Sequence, residues 1–313
     1  MTQVVSNDVS AITPELWSSV VQKNLYKSLV ALDIGNTQLS DTLKFADTIH
    51  VPYFASLSAQ TYTPGTSLSA TNLDWKFDSL VVSAYKHSTF YVDDVESLQT
   101  NVAQMRPLAE DAAFQLSNAI DTDVFKNLTG ADGFTNYQAD AGTLQGGTAH
   151  RPISAGSAAI IQIFGNARKL LRQNNVEEMG DWAAVVTPQI AFYIEGKATS
   201  VGYNLADATL RNGYTGDFMG FQVYISNNLP SGKCSAISPT ITGGAVSATS
   251  CKSIYFGRKG MIDVVLQRRP ALEIRKKDDM LGANFITWTV YGSAVFTRNR
   301  KRGLNVAVQS SYY

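Results

Sequence analysis

The stretch "LRNGYTGDFMGFQVYISNNLP", residues 210–230, sets three glycines, Gly213, Gly216 and Gly220, ahead of a strand-like run that ends in an Asn pair. Clustered glycines have two physical uses. A phosphate cradle needs them after a strand, in G-x-G-x-x-G spacing or closed by Lys-Ser/Thr, so that backbone N–H groups face the ligand. Here the spacing differs and no Lys-Ser/Thr follows. The other use is tight turning. Gly213 after Asn212 admits a positive φ, Gly216 permits a second reversal, and Gly220 allows close backbone approach before "FQVYISNN". The stretch reads as a loop of demanding shape that binds nothing.

The rest of the chain supports no enzyme reading. Three histidines, His50, His87 and His150, have no Cys or His at metal-ligand spacing. His50 and His87 are expected on opposite strands of one hairpin, where they could pair structurally. The acidic doublets Asp93-Asp94, Glu110-Asp111 and Asp278-Asp279 have simpler uses at a helix start, on a helix and beside "RKK". No G-x-S-x-G, Walker A or H-E-x-x-H pattern occurs. The sequence calls for no cofactor, metal or catalytic residue.

At 313 residues the chain can hold one large domain or two smaller ones, and 44% hydrophobic against 17% charged residues is a globular balance. No run approaches the ~20 apolar residues of a membrane span. "MTQVVSNDVSAITPELW" lacks the basic start and apolar core of a secretory signal, so folding in a cytoplasm is expected. Cys234 and Cys251 bracket a Ser/Thr/Gly-rich loop; they either close it as a disulfide or, as a reducing cell favours, stay idle thiols. Net charge is zero but uneven. Residues 252–302 hold twelve Lys or Arg against four Asp or Glu, leaving 14 basic against 22 acidic residues elsewhere. Such polarity suits a nucleic-acid-facing surface, charge-matched contact between copies, or merely solvated strand faces.

Residues 1 to about 45 read as an extended arm with one helix, Pro14 to Leu29. Thr13 precedes it as cap, and Trp17, Val20, Val21, Leu25 and Leu29 form an apolar stripe. "DTIHVPYFA" (47–55) and "LDWKFDSLVVSAYKHSTFYV" (73–92) alternate like strands around a polar tip with Pro64-Gly65 as its turn. A two-stranded excursion is marginal alone, so it should pack on another subunit. Asp93 and Glu96 then form a capping box for a helix whose stripe runs from Val95 to Val124. Ending near Leu128, it would span about 34 residues, or about 50 Å, with a bend at Pro107. Residues 129–152 read as a Gly-rich polar loop. A second amphipathic helix covers Ser154 to about Asn174 through Ile160, Ile163, Phe164, Ala167 and Leu171. "WAAVVTP" reads as a buried strand, and Pro188 opens a short helix. Strand-rich segments close the chain, with no internal repeat.

The order of these parts, and above all "FYVDDVESLQ" entering the long helix and the Gly-rich turn into "GFQVYISNNLP", resembles the major capsid proteins of tailed bacteriophages, which have the HK97-type fold. The likeness covers about Pro14 to about Val308. It implies an α+β fold with an N-terminal arm (1–46), an extended β-loop (47–92) overlying a neighbour, and a peripheral domain with the spine helix (93–153). It further implies an axial domain (154–259), which places the turn at Gly213, Gly216 and Gly220 at the capsomer centre, and return strands to the peripheral domain (260–313). The implied function is a shell of pentamers and hexamers enclosing packaged double-stranded DNA. An encapsulin-type cargo compartment, an accessory virion protein and an enzyme built from scattered residues are the alternatives.

The likeness also sets expectations for contacts. Tyr53, Tyr62, Pro64, Trp75 and Phe77 are the expected inter-subunit contacts, with core packing open for Trp75 and Phe77. Arg268, Arg269, Arg275, Lys276 and Lys277 are expected to face DNA or acidic neighbours. Some family members join subunits by a Lys–Asn bond from the extended loop. The tip from Ala55 to Asn72 has no lysine, so no such crosslink is expected. The body is reached within about 15 residues, without the long charged helical segment with which some members begin, so a separate scaffolding protein is expected. A portal and cement proteins would be further virion partners.

Overall fold

The computed structural model describes residues 30–309 apart from 44–45, 55–56, 58, 69, 71–72, 94–104, 130–132, 141–142, 147–152, 155–156, 177–180, 201–215, 231–250, 277–281 and 301. The arm helix, the capping box after Asp93, Cys234, His150, Gly213 and Lys277 fall outside these residues.

The excursion is a two-stranded antiparallel sheet. β1 (Thr48–Phe54) pairs with β2 (Trp75–Val81), from Thr48 opposite Val81 to Phe54 opposite Trp75. At its far end Thr66 donates its N–H and its hydroxyl to the Thr63 carbonyl, at 3.2 and 2.7 Å, around Pro64-Gly65. The run 73–92 is not one strand. Beyond the Val82 N–H, which donates to the Asp47 carbonyl at 2.8 Å, the chain enters a different sheet. There β3 (Ala84–Asp93) pairs with β12 (Gly282–Ala294), which pairs with β11 (Asp263–Lys276). Gly292 of β12 passes under this junction. A Cβ there would sit 2.4 Å from the Val81 carbonyl oxygen, a backbone atom that cannot rotate away. The excursion thus ends one strand earlier than the expected boundary at Val92. His50 and His87 end up in different sheets: His50 Nδ1 lies 2.9 Å from Ser79 Oγ, whereas His87 stands opposite Trp288.

The largest sheet runs β5 (Thr143–Gly146), β4 (Thr135–Asp140), β13 (Leu304–Gln309), β10 (Cys251–Arg258), β7 (Trp182–Val186), β9 (Phe221–Ile225), β8 (Asp217–Phe218), with β6 (Ile153–Ser154) also pairing β13. Two expectations fail here. Residues 129–152 hold the β4–β5 hairpin instead of a plain loop. And the last strand, β13, joins β10 and β4 while β11 and β12 form the other sheet. The hairpin is local, whereas the placement of β13 is a long-range pairing that no local pattern specifies.

β7 is buried at all five positions because it lies inside the sheet with both faces covered. Across it pack α1 (Ala31–Ile34), α2 (Met105–Thr129), α3 (Ser157–Gln173) and α4 (Pro188–Ser200), with α5 (Thr297–Arg300) near the end of the chain. The stripe Ile160, Ile163, Phe164, Ala167 and Leu171 of α3 is buried as its spacing predicts, and Pro188 opens α4. At the core centre the Phe164 ring meets Phe218, Phe221 and Phe256 edge-to-face at 5.0, 5.8 and 5.0 Å. Pro107 lies in α2, two residues into its described part.

Candidate functional site: the excursion and its anchorage

Register decides what the excursion presents. On one face His50, Pro52 and Phe54 stand opposite Ser79, Phe77 and Trp75, and all six are exposed. Trp75 keeps 68% and Phe77 66% of their surface open to solvent, so neither packs in the core of its own subunit. Phe54 meets Trp75 at 5.6 Å and His50 meets Phe77 at 5.0 Å, both edge-on, with the Arg298 guanidinium 5.6 Å from the Phe54 ring. Tyr53 lies on the opposite face, half-buried and paired with Lys76, while Tyr62 and Pro64 are exposed at the tip.

The base of the excursion is fixed. Leu80 is fully buried with Leu43, Val82, Val265 and Val290. Asp78 accepts from the Thr297 N–H at 2.8 Å and from its hydroxyl at 2.6 Å, capping α5. At the junction, the Asp123 carboxylate receives Lys86 Nζ at 2.5 Å and the Tyr291 hydroxyl at 2.6 Å. Burial alone would raise the Asp123 carboxyl; the two hydrogen bonds, with the charges of Lys86 and Lys126, outweigh it and hold it below its ordinary value. Burial and the Asp123 charge together push the Tyr291 phenol far up, so it stays a donor.

A second anchorage uses Asn228, the second residue of the Asn pair. Asp121 of α2 is buried, and its Oδ1 accepts from the backbone N–H groups of Val30 and Ala31 at 2.9 and 2.7 Å, capping α1. Its Oδ2 accepts from Asn228 Nδ2 at 2.8 Å and from the Ser226 hydroxyl at 3.4 Å. Asn228 also donates to Asn118 Oδ1 at 2.8 Å. "ISNN" therefore ties the end of β9 to α2 and to the start of the described chain. Sequence reasoning passed over Asp121. The available signal was a carboxylate between Ile120 and Val124 of an otherwise apolar stripe.

A further clip holds residues 34–38 to the body. Asn36 Nδ2 donates to Asp263 Oδ1 at 2.8 Å, and its backbone bonds Ile262 and Val264. Burial pushes the Asp263 carboxyl up to about 6, against the opposing Asn36 bond.

The described part of the Gly-rich stretch holds a two-residue hairpin turn. Phe218 pairs with Phe221, and Met219 and Gly220 between them have φ 51° and 84°, the left-handed values a type I′ turn demands. Gly216 instead precedes β8, its carbonyl accepting from Val223 N–H at 3.4 Å, so the reversal expected there is made at Met219-Gly220.

The basic residues are not one patch. Arg268 is half-buried, stacks 3.7 Å from the Trp288 ring centroid and pairs with Glu273. Arg275 reaches the same carboxylate at 3.1 Å. The hydrogen bonds from Arg275, Trp288 and Arg268, led by Arg275, hold Glu273 below its ordinary value. Lys276 is exposed, and Arg269 lines a groove against α2. Among the described residues no cluster of His, Cys, Asp or Glu is placed to hold a metal ion, and no helix is long and apolar enough to cross a membrane.

Three comparisons bear on this architecture. The model of the family described as phage capsid protein matches residues 78–307. Among solved structures, a chain of Mycobacterium phage Che8 superposes with TM-score 0.70 at 19% identity, covering 94% of this chain and 96% of that one. The capsid of cyanophage P-SCSP1u gives TM-score 0.71 at 14% identity over 99% and 97%, and that of Ralstonia phage GP4 gives 0.62 at 14% over the whole of both chains. No curated protein matches the sequence.

Proposed function

Because the chain belongs to the phage capsid protein family, a family of shell-building subunits, we propose that many copies close as pentamers and hexamers into an icosahedral shell around packaged double-stranded DNA. The observation that carries this reading is the exposed aromatic face of a rigidly based excursion. Large rings bury about 150–250 Å² each, and roughly a third is already covered here. Seating Trp75 or Phe77 on a neighbour is then worth about 2.5–4 kcal/mol per ring before the costs of association. Multiplied over every subunit, this supports a closed assembly.

On this reading residues 48–81 overlie a neighbouring subunit and α2 is the spine helix beneath the β11–β12–β3 sheet. The Met219-Gly220 turn belongs to the part that meets its copies at the capsomer centre. Arg268 and Arg275 serve Glu273, which leaves Arg269 and Lys276 for DNA or an acidic neighbour. A shell that must release its genome calls for weak, salt-sensitive, sequence-independent contact. The protein acts mechanically, in the virion, after assembly in the bacterial cytoplasm. A separate scaffolding protein and a portal are the partners required, with cement proteins as further outer partners.

The test is electron microscopy of sizing-column fractions from wild type and from Trp75→Ala/Phe77→Ala. Wild type supplied with scaffolding protein should give closed, uniform particles, and particles purified from infected cells should contain nucleic acid. The double variant should stay unassembled with an unchanged circular dichroism spectrum. A wild-type chain that remains a small oligomer with scaffolding protein and crowding agent overturns the shell reading. Particles holding a protein cargo overturn the genome reading, and normal shells from the variant overturn the role of the excursion face.

A further inference from the structure

β11 breaks its ladder with β12 twice. Leu266 stands opposite Tyr291, Arg268 opposite Val290 and Ala271 opposite Trp288. Gln267 is therefore an extra residue, and Arg269 and Pro270 together face the single Thr289. Bulges of this kind re-aim side chains. Pro270 has no N–H to lose from the ladder, and the Thr289 hydroxyl donates to the Arg268 carbonyl at 2.7 Å, which holds the second bulge in shape. Two of the bulged side chains are committed within the subunit. Gln267 Nε2 donates to the carbonyls of Leu43 and Ala46, both at 3.0 Å, and Arg268 pairs with Glu273 over the Trp288 ring. Arg269 is exposed and has no carboxylate partner among the described residues. With Pro270 it lines an open groove of about 580 Å³ against α2. The wall is mixed: Leu32 and Phe114 are apolar, while Thr37 and Ser117 carry hydroxyls.

A guanidinium in such a wall calls for one carboxylate with apolar neighbours. Duplex DNA fits it poorly, because phosphates are met by several cations at once. Arg268 and Arg275 serve Glu273, and Lys276 lies roughly 20 Å farther along β11 at ~3.3 Å per residue. The excursion carries the matching segment. Asp74 is exposed, has no partner among the described residues, and stands between Leu73 and Trp75, which keep 50% and 68% of their surface open. Among the described carboxylates without a partner, no other has a large exposed apolar side chain on both sides. Arg269 and Asp74 are both unpaired within one subunit, so the complementary group belongs to a second copy. We propose that Leu73-Asp74-Trp75 of one copy docks in this groove of another, with the Asp74 carboxylate on the Arg269 guanidinium and Leu73 against Leu32 and Phe114. The inference rests on the reading that the excursion overlies a neighbour, and it adds the place where the excursion lands.

The test mixes two full-length chains, each with Cys234→Ser and Cys251→Ser. One carries Leu73→Cys on the excursion and the other Thr37→Cys at an exposed position of the groove wall. A short bismaleimide can then join them only between copies. With scaffolding protein present, a linked dimer should appear on a denaturing gel. Arg269→Glu in the Thr37→Cys chain sets like charges together and should slow the link about tenfold. Adding Asp74→Arg to the Leu73→Cys chain should restore the rate, which a misfolded Arg269→Glu chain would not allow. A rate indifferent to Arg269→Glu, or one that Asp74→Arg fails to restore, overturns the proposal. So does a link that duplex DNA suppresses with Arg269 in place but not with the swapped pair, because Arg269 then takes a phosphate. Electron microscopy of the same samples separates the two readings. Closed particles without the link sink this contact and leave the shell standing; the link without closed particles keeps the contact and sinks the shell.

Discussion

Asp121 offers a quantitative handle on the architecture. Replacing it with Ala removes the acceptor for two backbone N–H groups and one side-chain amide, at 2.7–2.9 Å, and for the Ser226 hydroxyl. Val30 and Ala31 are almost wholly shielded from solvent, so their N–H groups have no water to turn to. Asn228 keeps Asn118 as an acceptor. Hydrogen bonds to a charged group contribute about 1.5–3 kcal/mol each, and neighbours sharing one carboxylate are not additive. The expected loss for Asp121→Ala is therefore about 3–5 kcal/mol. Asp121→Asn retains an oxygen for Val30 and Ala31 but sets one amide against the Asn228 amide, for a loss of about 1–2 kcal/mol. Urea denaturation of the unassembled subunit, followed by tryptophan fluorescence, measures both. Asp121→Ala within 1 kcal/mol of wild type, or Asp121→Asn as damaging as Asp121→Ala, would refute the view that a buried acceptor joins α1, α2 and the end of β9.

Two further substitutions probe local chemistry. Asp263 binds its proton more tightly folded, at about 6, than unfolded, near the ordinary aspartate value of 3.8. Its contribution is thus fully present below pH 3.8 and is lost as pH rises through 6. The full shift amounts to about 3 kcal/mol, of which about 1.5 falls between pH 5 and pH 8. Asp263→Asn, which can still accept from Asn36, should flatten that slope in urea midpoints and be the more stable chain at pH 8; equal slopes would remove the carboxyl as their source. Gly220→Ala should cost about 1–2 kcal/mol, because φ 84° lies in the left-handed region that a side chain opposes. An unchanged urea midpoint would show that the turn tolerates another conformation.

What was legible in the sequence was whatever one residue spacing encodes. The α3 stripe, the five buried residues of β7 and the Pro64-Gly65 turn each follow from a local period or a local φ requirement. What escaped were changes of partner. The strand-like run of residues 73–92 carries no turn signal at Val82, yet β2 pairs with β1 and β3 with β12. A period of two says that a strand exists, not which strand lies beside it. The placement of β13 between β4 and β10 and the convergence on Asp121 likewise depend on pairs 48 to 169 residues apart.

One partner change did leave a trace. In β2 the large apolar side chains stand at Trp75 and Phe77, then at Leu80, which is the opposite face. A strand with a single buried face keeps one phase throughout. The inversion between Phe77 and Leu80 therefore means that the strand serves two apolar environments. Leu80 occupies the subunit's own small core, while Trp75 and Phe77, one residue out of phase, have no such core to face. Phe54 joins the same outer face from β1, whereas Ile49, Val51 and Tyr53 keep the inner phase. An aromatic face placed out of phase with a strand's own core is what a segment built to cover another molecule requires, and the excursion has that pattern in both of its strands.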